Sequence, residues 1–211
     1  PLSQYGVSVV NVGSTAFLRY ARVFQRKTGP EMGIRVAVVT DLDIRPDEYK
    51  REKADAKTWS EFDVTCEHQK KVERLDEQGV RTFVSPYWTL EYCIARSADL
   101  RIMLLKAIDC AQIEGKQNGV TEEELANVEA KVEEVITDFL RNGCSDHEMA
   151  FQIYYYKLLK QQVSKAITAQ WLARFLAEGS STTYAALISD PNIAYLIDAI
   201  KYATHVPSSQ P

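Results

Sequence analysis

Residues 34–43 read Ile-Arg-Val-Ala-Val-Val-Thr-Asp-Leu-Asp, a largely apolar, β-branched run that ends in two carboxylates. A run of this kind predicts a buried strand of a parallel sheet. In open α/β sheets, ligands bind beyond the carboxyl ends of the strands. Asp41 and Asp43 therefore stand where a functional site would be. Residues that cap a turn or the next helix show the same local pattern, and the run alone favours neither interpretation.

The composition bounds the class of protein. The chain has 211 residues, of which 45% are hydrophobic and 26% charged, and a net charge of −4; this predicts one globular domain, alone or with a subdomain. Without a secretory signal or a run of roughly 20 apolar residues, we expect a cytoplasmic protein with no membrane partner. The four cysteines are widely spaced, which argues against a zinc site or a disulfide scaffold. Because the chain begins at Pro1 rather than Met, we expect it to be part of a longer protein.

The first half of the chain alternates between strand-like and helix-like segments. Strands are predicted at residues 6–12, 34–39 and 80–84, where apolar and β-branched residues cluster. A helix is predicted at residues 16–24, and the polar stretch 46–77 is expected to become helical towards its end. This alternation is typical of an α/β fold, in which a parallel sheet is flanked by helices.

After the third predicted strand only helices are predicted, which indicates a helical subdomain. Two of these helices begin with a capping box, in which a Ser or Thr is followed three residues later by Glu. The third helix is expected to be long, with apolar residues at helical spacing along its length. The predicted helices are residues 90–113, a helix that starts at Thr121, a helix that runs from Ser145 to about Phe175, and residues 193–202.

Asp41 and Asp43 are candidate metal ligands. Alternate residues of an extended chain point the same way, so both carboxylates can face one ion while Leu42 points into the core. Glu91 follows the third predicted strand, and the ends of neighbouring parallel strands would bring it close to Asp41. On the local residues alone, an acid that stabilises the first turn of a helix is the favoured interpretation of Glu91. Oxygen ligands of this kind suit Mg²⁺ or Mn²⁺.

A lysine is the candidate for charge stabilisation. Lys165 lies in the segment Gln-Val-Ser-Lys-Ala, residues 162–166, and Lys160 precedes it in the same predicted helix. An ammonium group near a phosphoryl centre can stabilise the negative charge that develops there. On the local residues alone, a solvated helix face is the favoured interpretation. The sequence does not decide whether Lys160 or Lys165 would reach a site.

Three segments together resemble the Toprim domain of the OLD (overcoming lysogenisation defect) family of nucleases. They are residues 6–13, 40–43 and 89–92, and residues 164–166 are a looser match to the lysine-bearing helix of that family. The resemblance implies a Toprim-like sheet and an endonuclease that nicks or cleaves DNA with Mg²⁺ or Mn²⁺, by two-metal phosphodiester hydrolysis. It also implies an N-terminal ABC-type ATPase domain in the same protein, which alone would bind ATP. A homodimer is compatible with it.

The resemblance assigns roles to individual residues. Asp41, Asp43 and Glu91 correspond to metal ligands, and a further residue, Lys165, corresponds to the group that stabilises the transition state. Two departures stand out. The family's Glu-Gly-x-x-Glu motif does not occur near the start of this chain, and Cys93 stands where many relatives have Asp. A thiol is a poor Mg²⁺ ligand, so one outer contact of the site is expected to be lost at Cys93. Without the leading glutamates, we expect the chain to bind metal weakly and to be inactive by itself.

The expected organisation has three parts. Residues 1–95 form a Toprim-like α/β core that lacks the first strand and the glutamate motif of the family. Residues 96–150 form a helical insertion. Residues 151–211 form C-terminal helices that carry Lys165.

Two other functions remain open at this point. In haloacid-dehalogenase-like phosphatases, an aspartate after an apolar strand is the nucleophile and a second aspartate is the general acid, and Asp41 and Asp43 could fill these roles. Against this, residues 44–46 (Ile-Arg-Pro) do not resemble the continuation in that family. The second alternative is a non-catalytic Toprim-like module for DNA docking or dimerisation, in which the acids are relics.

Overall fold

The computed structural model describes residues 2–13, 17–117 and 119–204. Its sheet consists of two parallel strands, β1 (Val36–Thr40) and β2 (Val80–Val84), in which Val36 lies opposite Val80 and Thr40 opposite Val84. Helices flank the sheet and continue after it. The α/β class that was predicted from the alternation of segments is therefore confirmed.

The prediction of a first strand at residues 6–12 is wrong. Residues Leu2–Tyr5 form a 3₁₀ turn, and residues 7–13 have no regular secondary structure. Val9 and Val10 are 79% and 74% exposed. An apolar run becomes a strand only when a neighbouring strand pairs with its backbone N–H and C=O groups. Within the described part of the chain, β1 pairs with β2 alone, and residues 6–12 are in neither strand.

The segments before β1 and between the two strands cover one face of the sheet. Helix α1 (Phe17–Arg22) precedes β1, and helix α2 (Val64–Glu73) lies between the strands, after 3₁₀ turns at Asp47–Arg51 and Trp59–Glu61. The predicted helices in both regions are thus confirmed. Val38 and Val80 share a small apolar cluster with residues next to these helices. Because side chains alternate along a strand, the opposite face of the sheet needs a different cover.

That cover is the last described helix, which packs against both strands. The ring of Phe83 in β2 contacts the ring of Tyr202 at a centroid distance of 5.9 Å. The helices after β2 are α3 (Leu90–Arg96), α4 (Ala98–Glu114), α5 (Glu122–Arg141), α6 (Asp146–Phe151), a π-helical segment (Gln152–Leu159), α7 (Lys165–Ala177), α8 (Ser181–Ser189) and α9 (Ala194–Ala203).

Two of the predicted long helices are broken. Ser97 has an extended backbone and its side chain accepts a hydrogen bond from the Leu100 N–H at 3.1 Å, which ends α3 and starts α4. Further along, Gln162 has a left-handed backbone with φ of 54°, and Ser164 caps α7. Ser is favoured at such positions because its hydroxyl bonds the free N–H groups of a helix start. Helix α8 was not predicted, whereas the capping boxes and the final helix are confirmed.

The main hydrophobic core lies in the helical half, between α3 and α7. Its members come from both sides of each break, so the breaks serve to fold the helices back on one another. No helix in the described ranges is long and apolar enough to span a membrane. The largest fully buried side chains of this core are Tyr92, Leu104, Leu105, Ile108, Phe151, Ile153 and Leu158.

Candidate functional site

The chain that leaves β1 is bound to the loop that leaves β2 by three hydrogen bonds. The Thr40 carbonyl accepts from the Ser85 N–H at 2.9 Å. The Leu42 N–H donates to the Ser85 Oγ at 2.9 Å, and the Asp43 N–H donates to the Trp88 carbonyl at 2.9 Å. These bonds extend the parallel pairing past the ends of both strands. They hold the Asp-Leu-Asp segment beside the start of α3.

Asp41 is attached directly to the helix that carries Glu91. Its Oδ1 atom accepts a hydrogen bond from the Leu90 N–H at 2.8 Å. Leu90 is the first residue of α3, and its free N–H belongs to the positive end of the helix. Thr89 caps the helix by accepting from the Tyr92 N–H at 3.3 Å. The structure thus brings Asp41 next to the turn that carries Glu91.

The carboxylates of this site repel one another. Burial raises the pKa of the Asp41 carboxyl above its ordinary value, and the negative charges of Glu91 and Asp43 raise that pKa further. The hydrogen bond from Leu90 and the positive charge of Lys165 act in the opposite direction on the same pKa. Glu91 follows Leu90 directly in α3, and Asp43 lies two residues after Asp41, so both residues lie near Asp41 beyond the end of β1.

Asp43 is directed towards α2. Its backbone is in the left-handed region, with φ of 66°, and its side chain is 70% exposed. The Nζ of Lys71 lies 2.7 Å from Asp43 Oδ2 and donates to the Asp41 carbonyl at the same distance of 2.7 Å. Leu42, between the two acids, is buried as the alternation predicted. Lys71 was missed by the sequence analysis, because it lies in a stretch of charged residues without a motif.

Glu91 is paired with Lys165. The Nζ of Lys165 lies 2.8 Å from Glu91 Oε1. Burial lowers the pKa of Lys165, but the hydrogen bond and the charge of Glu91 outweigh that effect, and the pKa is raised. Lys165 is the first residue of α7. The prediction that Lys160 and Lys165 share one helix is therefore wrong. Lys160 pairs with Glu52 at 3.0 Å instead.

Tyr154 contacts Lys165 through both its hydroxyl and its ring. Lys165 Nζ donates to the Tyr154 hydroxyl at 3.3 Å and lies 5.3 Å from the centre of its ring. Tyr154 is buried, and its contact with Lys165 was not predicted. It lies in the π-helical segment, where the Lys160 N–H bonds the Tyr155 carbonyl five residues earlier. Such segments are common near functional sites.

Cys93 is fully buried behind the acids. Burial raises the pKa of its thiol to about 12, so the thiol is protonated at neutral pH. A protonated thiol does not bind Mg²⁺ or Mn²⁺. The present chain therefore has a neutral, packed side chain at this position.

The carboxylate oxygens of Asp41, Asp43 and Glu91 are the type of ligand that hard divalent cations such as Mg²⁺ prefer. Three carboxylates repel one another at one rim, and a cation would relieve this repulsion. Within the described ranges, however, no group of three or more His, Cys, Asp or Glu residues is arranged to hold a metal ion. Two of the acids form ion pairs instead, Asp43 with Lys71 and Glu91 with Lys165. The ammonium groups of Lys71 and Lys165 thus lie beside these two carboxylates.

A parallel strand that ends in paired aspartates, beside a helix that carries a glutamate, is the arrangement expected of a Toprim domain. Residues 1–43 match a family model described as the Overcoming lysogenization defect protein-like, TOPRIM domain. The match confirms the resemblance to the OLD family over residues that include Asp41 and Asp43, whereas Glu91 and Lys165 lie beyond it. Searches of curated proteins and of solved structures gave no significant match. Toprim domains process nucleic acids and generally bind Mg²⁺.

Proposed function

We propose that this chain is the metal-dependent DNA endonuclease domain of an ATPase–nuclease, which nicks or cleaves DNA by two-metal phosphodiester hydrolysis. The observation that carries the proposal is the hydrogen bond that holds Asp41 against the first turn of α3, beside Glu91, with Lys165 bound to Glu91. The Toprim match over residues 1–43 supports it independently.

Asp41, Asp43 and Glu91 would hold Mg²⁺ or Mn²⁺, one ion or two. When bound, such ions act as Lewis acids that activate water and stabilise a leaving oxygen. Asp41 and Lys165 have different roles in the proposed site. Asp41 is fixed by its bond to the α3 backbone, and this fixes the position of the central ligand. Lys165 keeps its proton because its pKa is raised, and it offers a positive charge to the phosphate.

The proposed partners follow from this role. DNA is the substrate, an N-terminal ABC-type ATPase domain of the same protein binds ATP, and the protein acts in the cytoplasm. A homodimer is compatible with this role. The net charge of the chain is −4. DNA binding at the acidic rim would therefore depend on local cations, of which Lys71 and Lys165 are the two beside the acids.

A plasmid-nicking assay with Mg²⁺ or Mn²⁺ tests the proposal. The assay compares the chain as it stands with a form extended at its N-terminus by a Glu-Gly-x-x-Glu strand. We expect nicking in at least one form, and we expect Asp41→Asn to abolish it. The matched control is Asp138→Asn, since Asp138 is an exposed aspartate of α5 that pairs only with Arg141 among the described residues. This control should nick at the rate of the parent form.

The assay also separates the alternatives. If neither form nicks DNA with either metal, the proposal fails, and DNA binding without cleavage would favour a docking or dimerisation module. A phosphatase of the haloacid-dehalogenase type would instead form a base-labile aspartyl phosphate at Asp41 with a small phosphate ester. Detection of that adduct by mass spectrometry would overturn the nuclease assignment.

A further inference from the structure

The first 30 residues differ in charge from the rest of the chain. They contain four basic residues, Arg19, Arg22, Arg26 and Lys27, and no Asp or Glu, although the whole chain has 29 acidic residues and a net charge of −4. A charge asymmetry of this kind indicates a partner of opposite charge, such as a nucleic acid or an anionic membrane.

The basic side chains of this segment are exposed and unpaired. Arg19 and Arg22 lie in α1, and Lys27 follows that helix closely. Among the described residues, none of these three side chains takes part in an ion pair or a hydrogen bond. In α2, by contrast, the exposed Lys70 pairs with Glu67 at 2.6 Å. The positive charges around α1 are therefore not neutralised within the described parts of the fold.

Gln78 brings a further arginine to this segment. The Arg26 N–H donates to Gln78 Oε1 at 3.0 Å, and Gln78 Nε2 donates to the Arg26 carbonyl at 2.8 Å. Arg81, an exposed residue of β2, donates from Nη1 to the Gln78 carbonyl at 3.3 Å. Two segments that are distant in sequence thus form one basic surface. Its members are Arg19, Arg22, Arg26, Lys27 and Arg81.

The apolar side of the segment is used by the protein itself. Ala21 is buried against the sheet, and Phe24 packs against the same cluster. A helix that lies in a membrane needs its apolar face for the lipid. Tyr20 and Val23 remain 59% and 69% exposed, which is a small apolar area for insertion into lipid. A tyrosine hydroxyl among arginines is a common contact for DNA phosphates. These features favour DNA over a membrane.

The basic surface and the acids lie at opposite ends of the sheet. Gln78 comes shortly before β2, Asp41 follows β1 directly, and the two strands are parallel. The extended chain between these ends spans roughly 20 Å, which is the length of about six base pairs of duplex DNA. Lys71 and Lys165 already pair with acids of the site. Unpaired cations that could bind phosphates are thus found away from the acids.

We propose that the basic surface binds the phosphate backbone of duplex DNA, about six base pairs from the acids. The choice of DNA as the partner rests on the proposed function, whereas the surface itself requires no metal. Basic side chains that neutralise phosphates release counterions from the duplex. Such contacts add affinity that falls with salt and does not depend on base sequence.

The test measures binding of a fluorescently labelled duplex by fluorescence anisotropy, in EDTA and at several salt concentrations. One variant combines Arg19→Gln, Arg22→Gln and Lys27→Gln. We expect it to bind DNA more weakly, and we expect the slope of log K against log salt to become shallower by about 2–3. The weakening should be equal for duplexes of unrelated sequence. A second variant, Arg81→Gln, should reduce the slope by about 1.

The matched control combines Lys70→Gln, Arg141→Gln and Arg174→Gln. These residues are exposed, and each pairs with an acid of its own helix or the residue after it. The control changes the net charge of the chain by the same amount as the first variant, and it should bind DNA like the wild type. Thermal unfolding checks that each variant is folded.

Three outcomes would overturn the inference. The first is equal weakening in the first variant and the control, because net charge alone would then explain the effect. The second is absence of duplex binding by the wild type in EDTA. The third is binding of phosphatidylserine–phosphatidylcholine vesicles, but not of DNA, through the basic surface.

The nicking assay keeps this inference separate from the proposed function. If the wild type nicks DNA with Mg²⁺ or Mn²⁺ but the basic surface does not affect binding, the inference fails and the nuclease proposal stands. If the first variant loses DNA affinity as expected but no form nicks DNA, the surface binds DNA and the nuclease proposal fails.

Discussion

The Oδ1 atom of Asp41 accepts a hydrogen bond from the backbone N–H of Leu90 at 2.8 Å, across 49 residues of sequence. This bond joins the end of β1 to the first turn of α3. It fixes the first acid of the site against the helix that carries Glu91. A backbone hydrogen bond therefore fixes the position of Asp41 relative to α3. The side chains of Lys71 and Lys165 then bind Asp43 and Glu91.

Asp41 should make stability fall as the pH rises. Burial and the neighbouring acids raise its pKa in the folded chain above the ordinary value of 3.8, so the folded state holds this proton more tightly than the unfolded state. The contribution of Asp41 to the free energy of unfolding is then greatest below pH 3.8, and it is lost as the pH rises through the raised pKa. In Asp41→Asn this loss is removed. Urea unfolding of both proteins from pH 3.5 to pH 7 should show the variant gaining stability relative to the parent.

A parallel pH dependence in the two proteins would contradict this account of Asp41. Asp138→Asn serves as the control, because the exposed Asp138 lies in α5 and pairs with Arg141. Added Mn²⁺ should stabilise the parent at neutral pH and have less effect on Asp41→Asn.

Lys165→Met should slow DNA cleavage by about 10²–10³-fold, since it removes a charge that would face the phosphate. Mn²⁺ affinity should stay the same or increase, because Glu91 loses the ammonium group that now occupies its Oε1 atom. Rates come from single-turnover cleavage, and affinities from titration calorimetry. Lys160→Met is the matched control, as Lys160 pairs with Glu52 away from the acids. A fall in Mn²⁺ affinity in Lys165→Met would show that Lys165 is structural.

Lys71→Met should strengthen Mn²⁺ binding. The ammonium group of Lys71 now holds Asp43 Oδ2 and the Asp41 carbonyl, and a cation must compete with it for Asp43. The cost in stability should be about 1 kcal/mol or less, because Asp43 is largely exposed. Titration calorimetry and urea unfolding measure the two effects. Lys70→Met, one residue earlier in α2, removes an exposed pair with Glu67 and should change neither. Unaltered Mn²⁺ affinity in Lys71→Met would rule out competition.

Ser85→Ala should weaken both the fold and the site. The Ser85 Oγ accepts from the Leu42 N–H and donates to the Tyr87 carbonyl at 2.6 Å, and it is buried. Two backbone groups would lose a partner, at a cost of about 1–3 kcal/mol each. The segment with the two aspartates should also move, so Mn²⁺ affinity should fall. Thermal unfolding and titration calorimetry give the two readouts.

Ser97→Ala is the comparison for Ser85→Ala. Ser97 is another buried serine, which caps α4 away from the acids. Its loss should cost about 1 kcal/mol of stability without a change in Mn²⁺ affinity. Equal effects of the two variants on Mn²⁺ binding would mean that Ser85 has no special part in placing the acids.

Local patterns predicted much of the fold. The run at residues 34–39 and the run at residues 80–84 became strands, and the capping boxes at Thr121 and Ser145 started helices. These signals are contained within a few residues, so neighbouring sequence is enough to read them. The run at residues 6–12 has the same local character, but its fate depended on a partner strand elsewhere, and it did not become a strand.

The breaks at Ser97 and Gln162 show a second limit of local patterns. Apolar residues continue at helical spacing through both positions, which predicted unbroken helices. The chain turns there because the helices on either side bury more surface when they fold back on one another. That gain comes from packing between helices, and periodicity along one segment does not record it.

The sequence by itself determined which acids could form a site: a strand-forming run that ends in Asp41 and Asp43 places carboxylates at the edge of a sheet, because parallel strands end there. Only the tertiary structure decided which lysine side chains form ion pairs with the acids of the site. Lys71 reaches Asp43 across 28 residues of sequence, and Lys165 reaches Glu91 from a separate helix. Such pairs depend on how distant helices pack on the sheet, and the charge of a lysine carries no information about which acid it will contact.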